Sequence, residues 1–214
     1  MNRFSNLLNK LLLTTSRNKK KKILFEYFKQ AHIKDKAWAF TILTNRFEKK
    51  FLKVIELKTL LKSKVDAELF KYSYDYVGDL AETISLIWPK RKIKKEINLK
   101  LFELMEFLEK KQDKDKLIKE LTLILDLSYE QQRFTIIKIL TGGLRVGVSV
   151  GLIKESLVKY GCRSMSEIEE FWYGFKFPYT DLFDWLVGKE LPKYINKKQL
   201  FNSFIPLIIG PLVN

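Results

Sequence analysis

Apolar residues recur along most of the chain at intervals of three and four positions. This spacing places them on one side of an α-helix, whereas the strict alternation of a half-buried strand is nearly absent. At the usual helix length, the pattern predicts roughly ten helices joined by short loops, and therefore an all-α, multi-helix bundle. Three of the clearest helical stretches are Phe4–Leu12, Ile23–Phe28 and Leu117–Leu125.

Residues that start and stop helices stand at the ends of these stretches. Ser164 is followed three positions later by Glu167, which is the spacing of a capping box, and Ser128 with Gln131 has the same spacing. These pairs predict that helices begin just after Ser128 and Ser164. Helix ends are predicted at three further residues: Pro89, Gly142 and Gly161.

A faint internal repeat indicates two related parts of the chain. Ile42–Arg46 reads Ile-Leu-Thr-Asn-Arg and is followed by Phe51–Val54 and a helical stretch. Ile139–Gly143 reads Ile-Leu-Thr-Gly-Gly and is followed by Leu144–Val146 and another helical stretch. Each copy has a helix ending in Ile-Leu-Thr, a loop, a Leu-Lys-Val or Leu-Arg-Val step, and a second helix. The repeat predicts two pseudo-symmetric helical halves.

The composition is that of a folded protein with a polyanionic partner. The 214 residues fit one large domain or two small ones, and 46% are hydrophobic and 30% charged. Forty Lys and Arg against 25 Asp and Glu give a net charge of +15, which favours nucleic acid before an anionic membrane. No apolar run is long enough to span a bilayer, because Pro and Gly interrupt the longest one, Phe204–Val213.

Few residues are suited to catalysis or to metal binding. One cysteine, Cys162, and one histidine, His32, exclude the usual Cys/His zinc sites and an internal disulfide, so we expect a cytoplasmic protein. Asp79 and Glu82 could form a metal or acid pair, but no further carboxylates cluster there. After a turn at Gly78, Asp79 is better explained as a helix N-cap with Glu82 as its capping-box partner.

Basic and aromatic residues are spread over several predicted helices. The basic runs Lys19–Lys22, Lys49–Lys53 and Lys90–Lys95 are interpreted mainly as solvated faces, and their spread disfavours a membrane-surface helix. The tryptophans lie on apolar stripes, so we expect them in the core rather than stacked on bases. They are Trp38, Trp88, Trp172 and Trp185.

The segment Thr141–Ser149 is the most unusual of the chain, because it places three of the nine glycines between two helices. Glycine lets the backbone approach a phosphodiester closely, its N–H groups can donate to phosphate oxygens, and Arg145 adds a cation. Ser149 is predicted to cap the next helix. The alternative is that Gly142 and Gly143 only end a helix and Arg145 is solvated. The spacing fits neither a P-loop nor a dinucleotide fingerprint.

Several motifs together resemble the N-terminal DNA-binding domain of ATP-dependent DNA ligases, especially the bacterial type. Gly78–Thr83 reads Gly-Asp-Leu-Ala-Glu-Thr, and Arg133-Phe134 leads into the Thr-Gly-Gly-Leu-Arg-Val-Gly-Val-Ser of Thr141–Ser149. An early Thr14-Thr15-Ser16 step and the helix Trp38–Thr44 also look like members of this family. The resemblance therefore covers nearly all of the chain.

The resemblance implies an all-helical, pseudo-two-fold module that lies on the minor groove across a nick and holds backbone phosphates through loops. The first implied contact loop consists of Gly142, Gly143, Arg145, Gly147 and Ser149. On the strength of the internal repeat, the second loop would contain Thr44, Arg46 and Lys53. Family members usually carry Thr-Gly-Arg where this chain has Thr44-Asn45-Arg46. Asparagine in place of glycine weakens the expectation of a close backbone approach at the second loop.

The resemblance also implies how the chain is divided into a domain and a connector. Residues 1–203 correspond to the DNA-binding domain, and 204–214 correspond to an apolar connector toward an adenylation domain. The Lys-x-Asp-Gly motif of the adenylated lysine is absent, and its nearest match, Lys64–Ala67, lies far upstream of the expected place. We therefore expect an isolated domain or a truncated ligase that is not itself catalytic, with ATP and Mg²⁺ needed only by the missing catalytic domain.

The expected partners are duplex DNA with a nick and the adenylation domain of the same protein. We expect a monomer, without membrane association, that is associated with the nucleoid and serves DNA repair, replication or recombination. The alternative is a basic helical scaffold without a catalytic role that binds RNA or an anionic membrane surface. A self-standing enzyme is disfavoured, because one His, one Cys and scattered carboxylates supply no obvious catalytic constellation.

Overall fold

The predicted all-α fold is confirmed. The computed structural model describes residues 1–47, 50–62, 64–89, 98–110, 113–142, 144 and 146–195, and these residues form twelve helices and no strand. The helices are α1 (Asn2–Leu12), α2 (Arg17–Gln30), α3 (Ile33–Leu43), α4 (Val54–Lys62), α5 (Ala67–Val77), α6 (Leu80–Ile87), α7 (Leu101–Glu109), α8 (Lys114–Leu127), α9 (Glu130–Thr141), α10 (Val150–Tyr160), α11 (Met165–Phe171) and α12 (Thr180–Leu186). None of these twelve has the length and the hydropathy that crossing a membrane requires.

The predicted helix starts are confirmed at one position and wrong by one residue at another. Ser164 and Glu167 form the capping box of α11. The box predicted at Ser128 and Gln131 is wrong by one residue, and only half of a box forms there: the N–H of Tyr129 donates to Gln132 Oε1 at 2.8 Å, while the Tyr129 side chain makes no cap hydrogen bond. Ser128 belongs to the preceding helix end, where its hydroxyl donates to the carbonyl of Ile124. The serine satisfies a carbonyl of α8 rather than an N–H of α9.

The chain divides into two compact units that are interleaved in sequence. Unit 1 comprises residues 1–15 and 45–147, and unit 2 comprises residues 16–44 and the described residues from Val148 onward. The chain therefore changes unit three times, at 15/16, 44/45 and 147/148. The sequence repeat had suggested two related halves, but no contiguous half of the chain forms a unit by itself. The predicted connector 204–214 lies outside the described residues.

Unit 1 is built around α9. Helices α1 and α6 both pack on this helix, and α5 packs on α6. Helix α1 contributes a fully buried stripe from Phe4 to Leu11, and α9 buries Ile136, Ile137 and Leu140. Because α1 and α6 fix the axis of α9, they also fix the position of its C-terminal end, where the glycine-containing segment begins.

A polar network in unit 1 surrounds the end of α6. The Asp126 carboxylate accepts hydrogen bonds from the Trp88 indole N–H at 3.0 Å and from the Lys64 ammonium at 3.0 and 3.2 Å. Arg133 is buried and its Nη1 donates to the carbonyl of Trp88 at 3.3 Å, and burial lowers the pKa of this arginine. Trp88 is the C-cap of α6, and its carbonyl has no partner further along the helix, so Arg133 supplies it with a donor. Arg133 is therefore a structural residue.

Unit 2 has an aromatic core. Helix α2 packs along α10, and α3 packs on α12. Phe28, Phe40 and Phe183 are almost completely buried, and their ring centroids lie 5.4–6.2 Å apart in tilted or edge-to-face pairs, a favourable geometry for aromatic side chains. The prediction that the tryptophans belong to the core is confirmed, because each is at most 5% exposed. They are Trp38, Trp172 and Trp185 in unit 2 and Trp88 in unit 1.

Candidate nucleic-acid interface

The two repeat copies end their first helix in the same way. Thr44 follows α3, and its hydroxyl donates to the carbonyl of Phe40, four positions earlier, at 2.7 Å. Thr141 is the last residue of α9, and its hydroxyl donates to the carbonyl of Ile137, again four positions earlier, at 2.9 Å. Each threonine hydroxyl thus bonds back to a carbonyl of its own helix, one turn earlier. The sequence repeat therefore corresponds to a repeated local structure.

The residue after each threonine has the same unusual backbone conformation. Gly142 has φ +69° and forms the left-handed C-cap of α9. Asn45 has φ +54°, although it stands where the resembled family usually carries glycine. Asparagine adopts the left-handed region more readily than other non-glycine residues. The departure from the family pattern therefore preserves the backbone turn, and it adds a side chain to an exposed position.

Within unit 1, the segment after α3 lies against the end of α9. The backbone N–H groups of Phe51 and Leu52 both donate to the carbonyl of Leu140, at 3.1 and 3.2 Å. The Lys50 side chain passes so close to Gly142 that a Cβ built on the glycine would lie 3.3 Å from Lys50 Cγ. The two segments that the sequence assigned to separate contact loops therefore meet at Leu140 and Gly142. Nothing in the repeat predicted this contact.

Cationic residues stand close in sequence to this meeting point. Lys50 and Lys53 are exposed, and Arg46 is half-buried. The Lys53 backbone N–H donates to Glu56 Oε2 at 2.8 Å, which fixes the start of α4 and leaves the Lys53 side chain in solvent. A hydrogen bond from Lys114, and then the one from the Lys53 N–H, hold the pKa of Glu56 below its ordinary value. The charges of Lys114 and Lys53 lower this pKa further.

The glycine-containing segment ends as predicted at the start of α10. The Ser149 hydroxyl accepts a hydrogen bond from the Leu152 N–H at 3.2 Å, which confirms Ser149 as the N-cap. Gly147 is exposed with φ +61°, a conformation that suits glycine, and Val146 beside it is buried. Gly143 and Arg145, the other two predicted contact residues, lie outside the described residues.

Asp79 joins α6 to the last turns of α9. Its carboxylate caps α6 by accepting from the Glu82 N–H at 3.0 Å, and it accepts from the Lys138 ammonium at 2.5 Å. Burial would raise the pKa of Asp79, but the hydrogen bonds from Lys138 and from the Glu82 N–H outweigh it, so the pKa is lowered. The predicted cap is confirmed, and the carboxylate is committed to holding α9 in place. In the described part of the chain, no cluster of three or more His, Cys, Asp or Glu side chains could hold a metal ion.

A groove of about 500 Å³ lies beside this ion pair in unit 1. It runs between α1, α6 and α9, and Leu12, Phe134 and Leu144 form part of its apolar wall. Leu144 and the buried Val146 both line this groove, so these two residues of the glycine-containing segment lie beside α1, α6 and α9.

Comparison with known families assigns the chain. The family model described as DNA ligase N terminus matches residues 1–158, which is more than two thirds of the sequence. The chain belongs to this family. The matched region contains every residue that the sequence analysis placed in the two contact loops, and it ends within α10, before α11 and α12. A search of curated proteins returned no match.

Lys50 and Lys138 were not singled out as candidate site residues by the sequence analysis of this ligase domain. Lys138 stands in the last turn of α9, a position where a cation offsets the negative pole of the helix dipole. Lys138 directly precedes the Ile-Leu-Thr step that ends the helix, and this position in the sequence could have indicated its role. The position of Lys50 depends on the hydrogen bonds to Leu140, between residues about ninety positions apart, and no local pattern reports them.

Proposed function

We propose that this ligase domain binds nicked duplex DNA by holding the phosphate backbone along the minor groove during nick sealing. The observation that carries the proposal is the contact between the two repeat segments in unit 1, where Lys50 lies against Gly142 and Lys53 is exposed nearby in sequence. A left-handed glycine next to lysines suits a phosphate group, because it combines an accessible backbone with positive charge. The net charge of +15 supports a polyanionic partner.

The contacts in this proposal go to phosphates, so binding has little sequence preference and depends steeply on salt. With about six phosphates neutralised, the slope of log affinity against log salt concentration is near −5. The measurement is fluorescence anisotropy with nicked and intact duplexes of equal length, in two unrelated sequences, over a series of salt concentrations. A slope near zero, or a strong preference for one sequence, contradicts the proposal. Stronger binding to an RNA duplex or to anionic vesicles favours the alternative scaffold.

Single substitutions test where the duplex binds. Replacing Lys53 with Ala removes an exposed cation and leaves its backbone bond to Glu56 intact. We expect the salt slope to become shallower by about 0.9 and the affinity to fall by roughly five- to tenfold near 0.1 M salt. Lys71→Ala is the control, because Lys71 is equally exposed on α5 of the same unit and carries the same charge. Equal effects of the two substitutions would indicate that net charge alone matters.

A further inference from the structure

The basic run at the start of α2 has no role in the contacts described above. Five of the first six residues of this helix are cationic, and we call Arg17–Lys22 the α2 basic turn. The first acidic residue of α2 is Glu26, more than two turns after the N-cap Ser16. Lys19 and Lys22 are exposed. Such a density of like charge on one short surface is unfavourable for folding and suits an anionic partner.

Helices α2 and α10 run parallel in unit 2, which determines what lies beside the α2 basic turn. Lys21 lies 3.2 Å from Glu155, 134 positions later, and the Lys159 ammonium lies 4.9 Å from the ring centroid of Phe25 with the same offset. Residue numbers therefore rise together along the two helices. By this offset Ser16, the N-cap of α2, is level with the beginning of α10, which Ser149 caps.

Positive charge predominates at this end of the helix pair. Neither α2 nor α10 has an acidic residue in its first turn, so the positive poles of two helix dipoles add to the charges of the lysines. The Glu155 carboxylate is shared by Arg17 and Lys21. Because two cations share it, this carboxylate neutralises only part of their charge. Helix α8 shows the usual arrangement, with Asp113 as its N-cap and Asp115 in its first turn.

We infer that the α2 basic turn is a second phosphate-binding surface for the same duplex, in unit 2. The inference rests on the proposed function, because Ser149, one of the proposed contact residues, lies at the same end of the helix pair. Lys19 and Lys22 bind backbone phosphates through their exposed ammonium groups, while Glu155 holds Arg17 and Lys21 against α10. Because the contacts are to phosphates, they add affinity and salt dependence without adding sequence preference.

The test compares two double variants that change charge equally. Lys19→Ala with Lys22→Ala alters the third and sixth residues of α2, and Lys116→Ala with Lys119→Ala alters the third and sixth residues of α8. All four lysines are exposed. We expect the α2 pair to lower the affinity for nicked duplex roughly 10- to 60-fold near 0.1 M salt, and to make the salt slope shallower by about two. The α8 pair leaves both values close to those of the unchanged protein.

Three outcomes separate the possibilities. If both double variants weaken binding equally, or if the α2 pair has no effect while the unchanged protein binds duplex, the second surface is refuted and the proposed function stands. If the unchanged protein does not bind duplex at all, the proposed function itself fails and this inference falls with it. Thermal unfolding is the accompanying readout: removing Lys19 and Lys22 leaves the melting temperature unchanged or slightly higher, because repulsion near a positive helix pole is relieved.

Discussion

Replacing Gly142 with Ala tests whether the left-handed turn after α9 requires glycine. Gly142 has φ +69°, and its N–H donates to the carbonyl of Ile139 at 3.2 Å as the C-cap of the helix. An added Cβ would meet Lys50 Cγ at 3.3 Å, and the flexible lysine side chain can move away at little cost. The main penalty is therefore the backbone conformation, which costs an alanine about 1–2 kcal/mol.

Part of this penalty is offset in the unfolded chain. Alanine has less conformational entropy to lose than glycine, which stabilises the folded state by about 0.4–1 kcal/mol. The expected net destabilisation is about 1 kcal/mol, which corresponds to a melting temperature lower by roughly 2–4 °C for a protein of this size. Gly142→Asn is expected to cost less than Gly142→Ala, because Asn45 already adopts φ +54° at the equivalent place in the other repeat copy.

The reciprocal substitutions provide the control. Asn45→Gly is expected to be nearly neutral, and Asn45→Ala is expected to destabilise about as much as Gly142→Ala, since both alanines meet the same left-handed conformation. Chemical denaturation followed by circular dichroism ranks the four variants. If Gly142→Ala equals the unchanged protein and is more stable than Gly142→Asn, then the positive φ at position 142 is not required and the equivalence of the two helix ends is wrong.

Three other substitutions give distinct readouts. Asp79→Asn keeps a cap on α6 but loses the ion pair with Lys138, and we expect a cost of up to about 1 kcal/mol at pH 7. Because the folded-state pKa of Asp79 is lowered from 3.8, its contribution is complete above that value and is lost as the pH falls through the folded-state pKa, so the melting temperatures of variant and unchanged protein converge in acid. Trp88→Phe removes the donor to Asp126 and should destabilise by about 1–3 kcal/mol in denaturant titrations. Arg145→Ala should weaken duplex binding by roughly 1–3 kcal/mol and make the salt slope shallower by about one, with folding unchanged by circular dichroism.

Local patterns in the sequence were sufficient for the all-α class and for several helix ends. The capping box at Ser164 and the caps at Asp79 and Ser149 depend on residues within three positions of each other, so their spacing reports them directly. The error at Ser128 has the same origin. Ser128 and Tyr129 each stand three positions before a glutamine, so the spacing alone does not choose between them. The hydroxyl of Ser128 instead donates to the carbonyl of Ile124.

The interleaving of the two units could not be predicted in this way. The repeat predicted two related halves but not which stretches belong to each, and the chain crosses between units at 15/16, 44/45 and 147/148. The contact of Phe51 and Leu52 with Leu140 joins residues almost ninety positions apart. Helical periodicity specifies which face of a helix is buried, but it does not specify which other helix covers that face. Long-range contacts of this kind require the folded structure.

The contact between the two repeat segments also resolves a difficulty with phosphate binding at the end of α9. A helix C-terminus carries partial negative charge, so by itself it repels a phosphate. Lys138 in the last turn offsets this charge, but Asp79 engages its ammonium at 2.5 Å. Lys50, from the other repeat copy, supplies a cationic side chain that lies against Gly142. In the proposed interface, one copy therefore contributes the open backbone and the other contributes the charge, and the hydrogen bonds to Leu140 keep the two together.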